Sequence, residues 1–178
     1  VQNGLVLNGT LTVNSPVNGA QASLYFVGTQ TLSGTGQVVF TASGQWAYNY
    51  VNIQGGGSGS PATLTIGPGI TIRGSASGSI QGVYGNETLI NQGTISADTA
   101  GATITVSAAN WVNAGLLQAK NGGTLSLGGT FTTTGLGTYD SRGGTINIGG
   151  TLDNTGKTLA LTAATGSLGL AWSGTIKG

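Results

Sequence analysis

Four short segments decide the fold: Thr103-Ile104-Thr105-Val106, Thr124-Leu125-Ser126-Leu127, Thr145-Ile146-Asn147-Ile148 and Ser167-Leu168-Gly169-Leu170. Their starts are almost evenly spaced. The separation, roughly 21 residues, lies within the range of solenoid repeats. Within each segment an apolar residue alternates with Thr, Ser, Asn or Gly, the period of two of a strand with one buried face. Frequent Gly and β-branched Thr disfavour helix, so almost none is expected.

Two further apolar positions keep nearly the same period. Trp111, Phe131, Leu152 and Trp172 form one such series, and Ile95, Leu117, Tyr139 and Leu161, equally spaced, form the other. A turn recurs as Asn91-Gln92-Gly93, Asn113-Ala114-Gly115, Thr133-Thr134-Gly135 and Asn154-Thr155-Gly156. Three strands and three bends therefore make one unit. Strands this short, repeating at this spacing, find partners if the chain coils and equivalent positions stack about 4.8 Å apart.

The expected fold is all-β: a parallel β-helix, or β-solenoid, with three short strands per coil of about 21–26 residues. Gly and Asn are assigned to the corners, where positive φ costs them little. The Asn column at 91, 113 and 154, broken by Thr133, reads as an internal amide ladder. Residues 89–178 are the regular coils, and residues 1–88 read as longer coils with larger loops, including the Gly-rich stretch 54–61. There the core positions Leu11, Val39 and Leu64 are taken as equivalent. One domain of about seven or eight coils, a rod roughly 35 Å long, is expected.

Composition closes many functional classes. Only nine of 178 residues are charged, 5% against about 25% in ordinary domains. Gly, Thr, Ser and Asn make up half of the chain. With neither Cys nor His, thiolate sites and the commonest metal ligand and general base are absent. No metal or cofactor is indicated. A net charge of +1 provides no footprint for nucleic acid, and no apolar run approaches a membrane span. No Met occurs, even at position 1, so a processed product or a piece of a longer chain is expected.

The stretches LINQGTISADTAGATITV (89–106), WVNAGLLQAKNGGTLSLGG (111–129) and GGTINIGGTLDNTGKTLAL (143–161) resemble repeats of filamentous-haemagglutinin-like adhesins and autotransporter passenger domains. The resemblance covers residues 88–170 well and the remainder loosely. It implies a right-handed coil, secretion and a bacterial cell-surface role. It does not imply a particular partner, because such repeats carry many functions.

Enzymes on β-helices that cleave polysaccharides need clustered carboxylates or Ca²⁺ beside a basic group. The acids here are Glu87, Asp98, Asp140 and Asp153. Asp98, Lys120 and Arg142 are equally spaced and are expected to stack on one corner, Asp98 beside Lys120. An exposed charge ladder is the plainer reading of that row, and no catalytic residue is assigned.

Trp46, Tyr48 and Tyr50 share one strand face. Facing outward they would form a platform for sugar rings or another subunit; facing inward, the plainer alternative, they would fill a wide coil. No capping helix is found at either end, so Leu5, Leu7, Leu11 and Val13 at one end, and Leu170, Trp172 and Ile176 at the other, are candidates for end-to-end contact or exchange of a terminal strand such as 4–13. The expectation is a non-enzymatic, extracellular fibre subunit or rod segment of a surface adhesin. It would be partnered by itself or by flanking repeats, with surface glycans a further candidate partner. The alternative is a carbohydrate-binding or polysaccharide-cleaving β-helix using the N-terminal aromatic loops.

Overall fold

The computed structural model describes residues 1–16, 19–42, 48–57, 59–171 and 173–178. Among these, the chain winds into a β-solenoid of about seven turns, with about 25 residues per coil. Three parallel sheets contain eight, six and seven strands among the described residues. One coil runs Thr88–Asn91, Thr94–Ala97 and Thr103–Ser107; the next runs Asn110–Asn113, Leu116–Ala119 and Thr124–Leu127. As far as Thr151–Asp153, each strand thus lies in the first, second or third sheet in rotation, paired with its equivalent one coil away.

The register follows the repeat where the coils are regular. Thr103 lies beside Thr124 and Thr124 beside Thr145, while Ile146 lies beside Leu168. Inward positions form apolar columns. Ile72, Ile95, Leu117 and Tyr139 stack along the second sheet, and Val51, Ile80, Val106, Leu127 and Ile148 along the third, all buried. In the first sheet Leu64, Leu89, Trp111, Phe131 and Leu152 share a column, with the Trp111 and Phe131 rings stacked at 4.2 Å.

Three expected columns change. Leu11 pairs with Val38 rather than Val39 in the second sheet, and Leu64 lies in the first sheet. The cause is unequal coil length: Thr10 lies beside Gln37, but Gln37 lies beside Thr71, after a distinctly longer coil. Loops of different length thus separate strands of identical pattern. Below Leu152 the column continues with Ile176, and Trp172 lies outside the described residues. Leu161 is exposed, because the second sheet ends at Thr138–Asp140 and residues 158–166 form no strand.

Asn91 and Asn113 are buried and do form an amide ladder. The Asn91 Nδ2 donates to Asn113 Oδ1 at 2.7 Å, and the Asn113 Nδ2 donates to the carbonyls of Leu136 (3.0 Å) and Thr138 (2.8 Å). Below them the corner tightens into a helical turn, Thr133–Leu136, capped by the Thr132 hydroxyl accepting from the Gly135 N–H at 2.9 Å. Asn154 is only half-buried and accepts from the Thr133 hydroxyl instead.

Corner glycines serve two different needs. Gly101, Gly122 and Gly143 have φ of 77°, 76° and 91°, so left-handed backbone selects them. Gly93 and Gly115 do not have positive φ; there a Cβ would collide with a carbonyl of the neighbouring coil, for Gly115 that of Gly93. Nothing lies near the Cβ direction of Gly101. Gly115→Asn is therefore expected to cost about 2–3 kcal/mol through backbone displacement. Gly101→Asn, where Asn tolerates the left-handed region, is expected to cost less than about 1 kcal/mol. Urea-unfolding midpoints of the two variants measure the difference, and equal losses would refute the distinction.

Candidate interaction surfaces

The expected charge row does not form. The Asp98 carboxylate, almost wholly buried, pairs with Arg73 of the preceding coil (Nε to Oδ2, 2.7 Å), and Lys120 makes no ion pair among the described residues. Arg142 folds back on Asp140 within the same turn, through Nε at 2.9 Å and Nη2 at 2.8 Å. Long guanidinium side chains reach whichever carboxylate their planar fork fits, above, below or within the turn, so spacing alone misplaces them. The side-chain hydrogen bond from Arg142 holds Asp140 down from the ordinary 3.8 to about 2.

The remaining acids are also engaged locally. Asp153 Oδ1 accepts from the Thr155 N–H at 2.9 Å. Glu87 is fully buried, and its carboxylate accepts from the backbone N–H groups of Gly55 (3.3 Å), Tyr84 (3.1 Å) and Asn86 (3.2 Å). These donors replace water around the carboxylate and pin the Gly-rich loop after Tyr48–Gln54 to the turn at 83–87. The loop also closes on itself, with the Gly56 N–H donating to the Ser60 carbonyl at 3.0 Å. Among the described residues no three of Asp, Glu, His or Cys converge to hold a metal ion.

The third sheet carries the aromatic feature. Along Tyr48–Gln54, Asn49, Val51 and Ile53 point inward, while Tyr48 and Tyr50 point outward, which decides against core filling. Val51 and Ile53 already occupy the core between Leu24 and Ile80 and beside Phe26, leaving no interior space for the phenols. Trp46 lies outside the described residues. Tyr25 and Tyr84 belong to the same outer surface, although the sequence alone does not single them out. For Tyr25 the signal exists in the alternation of Gln21–Val27, once that strand is placed beside Tyr48–Gln54.

The two ends form the other surface. Leu5, Leu11 and Leu24 are only half-buried, whereas their register partners one coil inward, Leu32, Val38 and Val51, are fully buried. Leu7 is half-buried too, but Val13 is already buried. Between the terminal strands Thr10–Ser15 and Gln21–Val27 a cavity of about 290 Å³ opens, lined by Leu11, Val13 and Leu24. Val1 covers part of that edge, its carbonyl accepting from the Val27 N–H at 2.9 Å. At the opposite end Leu170 and Ile176 are 62% and 45% exposed on the edge strands Leu168–Leu170 and Thr175–Lys177.

No protein-family model, no curated protein and no solved structure matches the chain. The fold therefore places it among β-solenoid repeat proteins, and no family beyond that architecture is assigned. No helix among the described residues is long and apolar enough to cross a membrane.

Two stability measurements follow from these contacts. Glu87→Ala leaves buried N–H groups without acceptors and is expected to cost about 3 kcal/mol, with Glu87→Gln costing less because one oxygen remains. Thermal or urea unfolding reads both. Asp140 has its carboxyl depressed in the folded chain, so its stabilisation is complete above the unfolded value near 3.8 and is lost as pH falls to about 2. Unfolding midpoints taken from pH 5 to pH 2 should fall less steeply for Asp140→Asn than for the parent chain.

Proposed function

We propose that the chain is a non-enzymatic structural protein of the bacterial cell exterior, a fibre subunit or rod segment of an adhesin. Its coils would extend by stacking on a further coil, supplied by a second copy or by flanking repeats. The single observation that carries this reading is that, among the described residues, the first coil is only partly covered. Leu5, Leu11 and Leu24 occupy core columns yet remain half-exposed, and Thr10–Ser15 presents an unpaired edge of six residues. Covering each leucine would contribute about 1 kcal/mol, and pairing the edge would satisfy its backbone groups.

The opposite end offers matching edges in two of the three sheets, at Leu168–Leu170 and Thr175–Lys177. Over the second sheet, residues 158–166 lie across the last strand instead: the Ser141 N–H donates to the Thr165 carbonyl at 2.9 Å and its hydroxyl donates to the Ser167 carbonyl at 2.6 Å. Joining unlike ends is a heterologous contact that does not close and so generates filaments. The local engagement of all four acids supports the non-enzymatic part of the reading.

Sedimentation velocity over a concentration series, with negative-stain electron microscopy, tests it. Concentration-dependent rods are expected. A Leu11→Lys, Leu24→Lys double variant should stay folded, since both sites are half-exposed, but remain monomeric. A parent chain that is monomeric at every concentration overturns end-to-end self-association.

A further inference from the structure

The outward face of the third sheet gathers four of the chain's five tyrosines into its first three coils; the fifth, Tyr139, is buried in the core. Tyr48 and Tyr50 project from Tyr48–Gln54 on the same side of the strand. Tyr25 lies beside Asn52 in register, and the Tyr84 hydroxyl accepts from Gln54 Nε2 at 3.5 Å. The phenols are therefore set out along the strand direction at the levels of Tyr48, Tyr50, Asn52 and Gln54. At one ring for every second position the strip is about 20 Å long. Tyr25, Tyr48 and Tyr84 are 42%, 42% and 46% exposed.

The strip borders a trough created by side-chain size. In register across the sheet, Tyr50 is followed by Ser79 and then Thr105. Small residues on the middle strand leave a groove of about 190 Å³ whose sides are Tyr48, Tyr50, Thr103 and Thr105 and whose floor includes Ser77 and Gly78. The core dictates that floor, because a Cβ on Gly78 would collide with the Phe40 ring. Between the phenols stand amides rather than charges. Gln81 Nε2 donates to Asn52 Oδ1 at 3.1 Å, and Gln54 bonds Tyr84. At the far end Val27 and Val83 flank Gln54.

Among the described residues no Lys, Arg, Asp or Glu lines the groove. A charged ligand would lose hydration there without gaining a counter-charge. A protein partner would meet a narrow strip bordered by Ser, Thr, Asn and Gln, lacking the broad apolar centre of a protein interface. Phenol rings at regular steps with amides and hydroxyls between them match a ligand whose own apolar faces alternate with a fringe of hydroxyls.

We propose that this face binds a neutral, extended glycan chain, with Tyr48, Tyr50, Tyr25 and Tyr84 stacking on successive sugar rings and the half-buried Gln54 and Gln81 bonding their hydroxyls, Gln81 held in place by the buried Asn52. The site is lateral, so coil-on-coil stacking at the ends leaves it open, and its test stands apart from the assembly test.

A glycan array of neutral and uronic-acid oligosaccharides, followed by calorimetric titration with a bound neutral hexasaccharide such as cellohexaose or maltohexaose, examines the proposal. Retention of one or more neutral linear chains and not of uronates is expected. Tyr48→Ala and Tyr84→Ala should each weaken binding roughly tenfold. Both should leave the thermal unfolding midpoint in place, and Tyr48→Phe should keep most of the affinity. No neutral glycan bound, or alanine variants that bind as tightly as the parent, overturns the site. Loss of self-association in those variants with no glycan retained would assign the face to a second copy and equally overturn it.

Discussion

The whole molecule depends on one repeated interaction, the in-register parallel hydrogen bonding of each strand to its equivalent one coil away. Because strands in such a ladder lie about 4.8 Å apart, each position inherits the chemistry of the position above and below it. Inward columns are apolar because they stack into a core one side chain thick. Outward columns are mostly Thr, Ser, Asn and Gln, with few ions, because like charges would repel in such a ladder. The few ions respect this limit: Arg73 meets Asp98 across coils, and Arg142 meets Asp140 within a turn. The same closeness explains corner glycines of ordinary φ such as Gly115, which exist to let two backbones approach.

Within that lattice the two halves differ in what they add. From residue 88 onward the coils advance by similar lengths along the first sheet and carry little beyond the repeat. The earlier coils are longer, most of all the one that brings Gln37 beside Thr71. That additional chain builds loops, the buried Glu87 anchor and the tyrosine strip. Recognition features belong on such departures from a rigid scaffold, where a loop or a large side chain can change without breaking the stack. A solenoid also satisfies its own edges everywhere except at its ends, where the first coil keeps half-exposed leucines and the last coil keeps edge strands, the surfaces on which the proposed end-to-end association rests.

Parts of this were legible from the residues alone. Alternation within short segments identified the strands, and a common spacing placed Thr103, Thr124 and Thr145 in register, as it placed Asn91 above Asn113. Sheet membership was not legible in residues 1–88. All three strands of a coil share one pattern, so Leu64 could be exchanged for a second-sheet residue without any local contradiction. The partner of Asp98 is not legible because Arg73, in register with Ser96, reaches Asp98 diagonally with its long side chain, and Tyr25 is not because its neighbours are defined only by pairing with Tyr48–Gln54.

The sequence by itself thus determined the class of fold, the short strands, the polar exterior and the scarcity of ionic chemistry, since periodicity and composition are local properties that every residue of a strand reports. The tertiary structure alone decided which columns meet, which way Tyr48 and Tyr50 face, what holds Glu87 and which core positions remain uncovered. Those depend on the lengths of the loops between strands, and a loop's length shifts the register of everything after it while leaving no mark on the strand pattern itself.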